Sequence, residues 1–177
     1  MHSAGRFAAL ALPVALILAL LACGPASTAV KPVPTLAPIV LGPDLSLIDL
    51  CAAVPRAVIE PILGRKLAHD PKPTLYYAAP GATGCEYDAV SDSAGNAYFG
   101  YVELAPAAAY AEQPLSDSAP ASGLGQSAYF NNGADARQLW VKINDTTALV
   151  IAFGDQPNEP GATTLARLIL AAISVPK

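Results

Sequence analysis

The sequence predicts an α+β fold: a single antiparallel β-sheet of about five or six strands, with helices packed on one face. Apolar side chains alternate along residues 85–91, and the apolar segment at residues 98–104 follows a turn-forming stretch, which indicates a hairpin. Near the C-terminus, Leu165, Leu168 and Ile169 begin an apolar stripe with helical spacing. Hairpins in the middle of the chain, with an N-terminal and a C-terminal helix, favour α+β over alternating strands and helices.

The N-terminal helix is predicted from its end signals. Pro55 suits the first turn of a helix over residues 55–63, and Gly64 suits the cap that ends it. Pro61 is expected to kink this helix or end it early, because proline lacks an amide hydrogen. A short helical turn is expected around Cys51.

The remaining elements are predicted from short local signals. Asn131, Asn132 and Gly133 are typical of a hairpin turn, and residues 148–153 form the unbroken apolar run expected of a central strand. Further strands are predicted at residues 75–79, 127–130 and 138–143, with a short helix at residues 107–112.

The composition disfavours several classes of partner. The 177 residues are 53% hydrophobic and 14% charged, with a net charge of −4. Part of the apolar excess lies in residues 1–22, and the remaining chain, about 155 residues long, can form one domain with a sizeable core. Phosphate groups need clustered positive charge, which this acidic chain lacks. We therefore expect no nucleic-acid partner and no attraction to anionic lipid headgroups.

Residues 1–22 are predicted to be a signal peptide. Arg6 precedes residues 7–22, which carry no charge and are short for a membrane-spanning helix. The sequence LLACG at residues 20–24 resembles a bacterial lipobox. Leu21 departs from that pattern, because a small residue is more usual at the second position before the cysteine. The resemblance implies cleavage before Cys23 and lipid on its sulfur.

The alternative is ordinary secretion with cleavage near residues 27–29, which would discard Cys23. Residues 24–43 contain five prolines and are predicted to form a semi-extended tether. The predicted organisation is thus a signal peptide at residues 1–22, an anchor cysteine and tether at 23–43, and one α+β domain at 44–177.

The cysteines point to an oxidising compartment. If Cys23 carries lipid, Cys51 and Cys85 remain as an even pair and are predicted to form a disulfide. A metal site would need further ligands, and a redox pair is normally spaced Cys-x-x-Cys. Because Cys85 belongs to the inward side of its strand, the bridge would join the first helix to the sheet.

Groups for catalysis are scarce. Beyond the signal peptide His69 is the only histidine, and no Gly-x-Ser-x-Gly sequence is present. Residues 123–125 read Gly-Leu-Gly, which is interpreted as a tight turn with positive φ rather than a phosphate loop. Asp88, Asp92 and Asn96 lack the spacing of a calcium loop. We therefore expect no catalytic residue, no cofactor and no metal.

An aromatic surface is predicted on the second face of the sheet. If Val102 and Leu104 face the helices, Phe99 and Tyr101 point the other way, with Trp140 on a neighbouring strand. Exposed, these three aromatic side chains would form a binding surface for a partner or ligand. The alternative is that another segment covers them and makes them core residues.

The order of these motifs supports a family resemblance. The motifs are the lipobox, Leu63-Gly64, Cys85-Glu86-Tyr87, GLGQSAY at residues 123–129 and LWV at residues 139–141. Together they resemble small secreted lipoproteins of actinobacteria and related bacteria that carry a domain of unknown function with one disulfide. Gln126 departs from the acidic residue that is usual in that family. The resemblance implies an α+β fold, the Cys51–Cys85 pair and extracytoplasmic display, without implying a reaction.

The sequence therefore predicts a lipid-anchored protein on the outer face of the bacterial cytoplasmic membrane. Its domain is interpreted as a non-catalytic binding module, whose partner is an envelope protein or a small apolar ligand. The alternative is a carrier or chaperone for a lipid-like molecule held between sheet and helices. An enzyme is the less favoured third interpretation.

Overall fold

The computed structural model describes residues 34–75, 79–90, 98–111, 118–132, 136–154 and 158–174. Cys23 and part of the strand predicted at residues 75–79 lie outside these ranges. The elements are β1 (Ile39–Val40), a 3₁₀ helix (Leu45–Leu47), α1 (Leu50–Ala53), α2 (Arg56–Leu63), β2 (Lys72–Pro73), β3 (Thr83–Ala89), β4 (Tyr98–Pro106), α3 (Ala107–Ala111), β5 (Ala119–Pro120), β6 (Ser127–Asn132), β7 (Ala136–Lys142), β8 (Thr147–Gly154), α4 (Glu159–Ala172) and β9 (Ile173–Ser174).

The main sheet has seven antiparallel strands in the order β2-β3-β4-β8-β7-β6-β5, which confirms the α+β class. The sequence predicts about five or six strands. The edge strands β2 and β5 each have only two residues, so they carry no alternation that a sequence could display. β8 lies at the centre and is buried along its whole length, as its apolar run predicts.

The principal core lies between the first face of the sheet and the helices α1, α2 and α4. Leu165, Ala166 and Ile169 of α4 are buried there with residues that alternate along the strands. The strand residues in this cluster include Cys85, Tyr87, Val102, Leu104, Leu139, Val141, Leu149 and Ile151. The alternating pattern thus correctly predicts which side chains face these helices.

The prediction that all helices pack on one face is not confirmed. α3 follows β4 directly and contacts β4, β7 and β8. Its Ala109 and Tyr110 pack against a separate cluster on the second face, formed by Tyr101, Trp140, Val150 and Ala152. The sheet is therefore covered on both sides.

Local end signals define α2 as predicted, with one exception. Pro55 is the N-cap residue, and Gly64 ends the helix with a φ of 68°. Pro61 lies inside the helix, which nevertheless continues to Leu63. Proline removes one backbone hydrogen bond, and the burial of Ile59 and Val58 against the core holds the helix in place.

The predicted Cys51–Cys85 disulfide is present and joins α1 to β3, with the two Cα atoms 5.1 Å apart. A second link lies close by. The buried Tyr87 hydroxyl donates a hydrogen bond to the Val54 carbonyl oxygen at 3.0 Å. Burial, together with the negative charge of Asp49, raises the pKa of Tyr87.

The beginning of the domain differs from the prediction. Residues 34–43, assigned from the sequence to the tether, belong to the compact unit that comprises residues 34–177. Ile39 of β1 pairs in parallel with Ile173 of β9, and Leu36, Ile39 and Leu41 are buried in the principal core. The prolines around these residues are typical of a linker. The apolar residues between them nevertheless bury enough surface to hold the segment against the principal core.

Substitution in β1 tests this docking. Ile39→Ala should lower the free energy of unfolding by about 2–4 kcal/mol, because the Ile39 side chain is 1% exposed. Val40→Ala, on the same strand, should change it by less than about 0.5 kcal/mol, because Val40 is 55% exposed. Urea unfolding of the whole chain measures both changes. Equal stability of Ile39→Ala and the wild type would show that residues 34–43 are not docked.

The Tyr87 hydrogen bond predicts a specific alkaline transition. The folded-state pKa of Tyr87 is raised above the ordinary tyrosine pKa of about 10. The protonated Tyr87 hydroxyl therefore contributes its full share of the folding stability below about pH 10, and this share is lost as the pH rises further. Tyr87→Phe should cost about 1–3 kcal/mol at neutral pH, because the buried Val54 carbonyl loses its donor.

Urea unfolding between pH 7 and pH 11 tests this prediction. Tyr87→Phe should flatten the alkaline loss of stability. The control Tyr110→Phe, which removes a surface hydrogen bond to Ser127, should retain it. A Tyr87→Phe variant with the wild-type alkaline slope would contradict the assignment.

Candidate functional site

The predicted aromatic surface is not exposed in the structure. Tyr101 is 3% exposed and Trp140 is 0% exposed. Phe99 lies on β4 opposite Asp88, but its side chain is outside the described part of the structure. Tyr101 and Trp140 belong to the second-face cluster, which α3 and Tyr129 pack against. The alternative weighed from the sequence, a covered second core, is therefore correct for these two residues.

Polar side chains distinguish the second-face cluster from the principal core. Glu103, Gln138 and Asn131 are buried beside its aromatic residues. The indole N–H of Trp140 donates to Gln138 Oε1 at 3.0 Å, and the Tyr129 hydroxyl donates to the Tyr110 carbonyl oxygen at 3.0 Å. Buried polar groups are costly unless they are hydrogen-bonded, so this arrangement specifies one packing of the layer.

The strand register brings this polar layer together. Glu103 lies opposite Val150, Val150 lies opposite Trp140, and Trp140 lies opposite Tyr129. Residues directly opposite each other in a sheet share a face, so a carboxylate and two aromatic rings lie in one row across four strands. The row is a packed internal layer rather than an open ligand site.

An open site lies elsewhere, beside the disulfide. A cleft of about 280 Å³ separates the 3₁₀ helix and the start of α1 from β2 and β3. We call it the disulfide cleft. It is lined by Ser46, Leu47, Ile48, Asp49, Leu50, Cys51, Pro73, Thr83 and Gly84. The sequence carries no local signal of this cleft, since its helical wall and its sheet wall come from segments more than twenty residues apart in the chain.

Hydrogen bonds hold the helical wall of the disulfide cleft in place. Asp44 caps the 3₁₀ helix by accepting from the Ser46 amide at 3.0 Å. Asp49 caps α1 by accepting from the Ala52 amide at 2.9 Å. The Thr83 hydroxyl of β3 donates to the Ile48 carbonyl oxygen at 2.8 Å and ties this wall to the sheet. The Asp-x-Ser and Asp-x-x-Ala spacings are local cap signals that the sequence does display.

Gly84 shapes the opposite wall. The chain after β2 lies against β3 there, with the Thr74 amide donating to the Gly84 carbonyl oxygen at 3.2 Å. A Cβ atom at Gly84 would collide with the Thr74 carbonyl oxygen, so a larger residue would push this segment outward. The cleft therefore requires glycine at this position for steric reasons.

The disulfide cleft is acidic. Asp49 lines it and Asp44 lies next to it, whereas no lysine, arginine or histidine is among its lining residues. The nearest lysine in sequence, Lys72, is bound to Glu86 at 3.0 Å and to Asp88 at 3.3 Å. These carboxylates, Glu86 before Asp88, raise the pKa of Lys72. The positive charge of Lys72 is thus paired with two carboxylates of β3 rather than with those at the cleft.

The chemistry available in the disulfide cleft is that of recognition. Its side chains supply apolar surface, hydroxyl groups and one carboxylate. His69, the only histidine beyond the predicted signal peptide, lies exposed, and its backbone carbonyl accepts a hydrogen bond from Arg56 at 2.8 Å. Within the described ranges, no three His, Cys, Asp or Glu side chains converge as metal ligands would. In the same part of the chain, no helix has the length and apolarity to cross a membrane.

The glycine-rich segment before β6 forms a turn, as its sequence predicts. Gly123 and Gly125 have φ angles of 74° and 52°. Leu124 between them is buried, and the Gln126 amide donates to the Lys142 carbonyl oxygen at 2.8 Å. A side chain at Gly125 would collide with that oxygen, so the glycine allows a close approach of two backbones.

Comparison of the chain with protein families, with curated proteins and with solved structures finds no match. The resemblance to secreted lipoproteins therefore remains a prediction from short motifs.

Replacement of Trp140 distinguishes a core residue from a surface residue. Trp140→Ala should lower the free energy of unfolding by about 3–5 kcal/mol, because it empties a buried site and leaves Gln138 without its indole donor. Leu47→Ala, at an exposed leucine, should change it by less than about 0.5 kcal/mol. Denaturant unfolding measures both, and a neutral Trp140→Ala would restore the prediction of an aromatic surface.

Proposed function

We propose that the chain is a lipid-anchored lipoprotein on the outer face of the bacterial cytoplasmic membrane, whose domain is a non-catalytic binding module. The observation that carries the proposal is the sequence LLACG at residues 20–24, directly after the uncharged residues 7–22. A cleaved chain would begin at Cys23 with lipid on its sulfur. Two or three acyl chains hold a protein firmly in a bilayer, since each buried CH₂ contributes about 0.8 kcal/mol.

The disulfide supports the proposed compartment. A bond between Cys51 and Cys85 persists in an oxidising environment and is rare in a reducing cytoplasm. With residues 34–43 docked, the proposed tether comprises residues 24–33, which span at most about 35 Å when fully extended. The proposed anchor therefore keeps the domain close to the bilayer surface.

Binding is the activity that the residues support best. The disulfide cleft offers a preformed concave surface without an imidazole, and hydrolytic chemistry of the serine type needs a base beside the nucleophile. In the described structure, the exposed His69 accepts a hydrogen bond through its backbone carbonyl, and none joins its imidazole to a serine hydroxyl. The proposed partner is a protein of the cell envelope.

The alternative carrier function needs an interior cavity for a lipid-like molecule. The layer between the sheet and α4 is filled by side chains such as Leu139, Leu149 and Ile169, all fully buried. At about 280 Å³ the disulfide cleft has the volume of only the smallest small-molecule sites, which is little room for a lipid-like chain. These observations favour the binding module over the carrier.

Metabolic labelling tests the anchor. In a bacterium fed an alkyne-bearing fatty acid, the wild-type chain should be labelled and recovered with the membranes. Cys23→Ser should lose the label, because the sulfur that carries the lipid is absent. The double variant Cys51→Ser and Cys85→Ser controls for lipid on the other cysteines and should remain labelled. An unlabelled wild-type chain in the medium would instead establish ordinary secretion.

A further inference from the structure

The disulfide cleft carries an exposed leucine on its rim. Leu47 is 83% exposed, which makes it the most exposed large apolar side chain in the described ranges. Single exposed leucines are common on protein surfaces. Leu47 differs from these because it borders a concavity whose wall also contains Ile48 and Pro73. An apolar group placed in the cleft would therefore contact apolar surface on more than one side.

The size of the disulfide cleft restricts what it can hold. Whole small-molecule ligands occupy sites of about 300–1,000 Å³. The cleft, at about 280 Å³, fits one or two side chains of a larger partner. It also borders β2, a two-residue strand at the edge of the main sheet.

The charge of the disulfide cleft selects the partner further. Asp49 in the lining and Asp44 beside it are both exposed acidic side chains. No basic side chain in the lining offsets them, and the chain as a whole has a net charge of −4. Anionic lipid and a second acidic copy of the chain would both be repelled, whereas a Lys or Arg would be attracted.

The walls of the disulfide cleft are set before any partner arrives. The Cys51–Cys85 disulfide and the Thr83 hydrogen bond to Ile48 fix the helical wall against the sheet. A preformed site loses less conformational entropy on binding than a site that must first be ordered. A short segment makes few contacts, so a low entropy cost matters for its binding. The preformed walls therefore support recognition of a short segment.

We infer that the disulfide cleft binds a short basic segment of an envelope protein, with an apolar side chain against Leu47 and a Lys or Arg beside Asp49. The inference rests on the proposed binding function and names the class of partner.

A peptide titration tests the inference. Two fluorescein-labelled peptides, Gly-Lys-Leu-Lys-Gly and Gly-Glu-Leu-Glu-Gly, are titrated with the whole chain, recovered from membranes in a neutral detergent or from the medium. Fluorescence anisotropy should show saturable binding of the lysine peptide alone. The affinity should fall as salt rises, because exposed charges are screened.

Two substitutions locate the binding. Leu47→Gln should weaken it about tenfold, since it removes the apolar contact. Asp49→Asn should weaken it about threefold, since it removes the charge while asparagine still caps α1. Val90→Gln and Asp145→Asn are matched controls outside the cleft and should bind as the wild type does. Thermal unfolding should be unchanged in all four variants.

Three results would overturn the inference: no saturable binding, equal binding of the glutamate peptide, or unchanged affinity in both Leu47→Gln and Asp49→Asn. Self-association that depends on Leu47 would assign the cleft to a second copy of the chain instead. The titration is independent of how the chain is anchored. A failure here therefore leaves the Cys23 labelling result standing, and a failure of that labelling leaves the titration standing.

Discussion

The bond between Cys51 and Cys85 is the constraint on which the arrangement of the N-terminal half depends. α1 has only four residues and cannot remain helical by its own backbone hydrogen bonds. The disulfide attaches it to β3, whose Cys85 and Tyr87 side chains are buried in the principal core, and closes a loop whose entropy is worth about 3.5–4 kcal/mol. The Tyr87 hydroxyl reinforces the same junction through Val54. Without this junction, the disulfide cleft would have no fixed helical wall.

The two faces of the sheet are stabilised by different interactions. The principal core is apolar and is covered by α1, α2 and α4, so its stability depends on removal of surface from water. The second face buries Glu103, Gln138 and Asn131 among aromatic rings, and the hydrogen bond from the Trp140 indole to Gln138 fixes the direction of two of its side chains. Because side chains alternate along each strand, every long strand contributes to both layers.

The local and the long-range parts of the fold differ in how well the sequence predicts them. α2 and α4 follow from Pro55, Gly64 and the helical spacing of Leu165 and Ile169, since caps and periodicity are properties of neighbouring residues. The strand faces follow from alternation for the same reason. The edge strands β2 and β5 do not, because two residues have no period and their pairing depends on the strands beside them.

The candidate site was less predictable than the fold. Tyr101 and Trp140 were correctly assigned to the second face, but their burial depends on where α3 lies after the chain leaves β4. Alternation defines which side of a sheet a residue occupies and contains no information on what covers that side. The disulfide cleft was not anticipated, because Leu47, Pro73 and Thr83 come together only through the sheet and the disulfide.

By itself, the sequence determined the α+β class, the pairing of Cys51 with Cys85, the ends of α2, the buried stripe of α4 and the faces of the long strands. The class, the helix signals and the strand faces depend on the spacing of neighbouring residues. The disulfide pairing depends on the two cysteines that remain when Cys23 is assigned to the lipid anchor. Only the tertiary structure decided that residues 34–43 dock as part of the domain, that α3 covers the second face, and that an acidic cleft opens beside the disulfide. Each of these results from contacts between distant segments, whose free energy depends on the surface that they bury together.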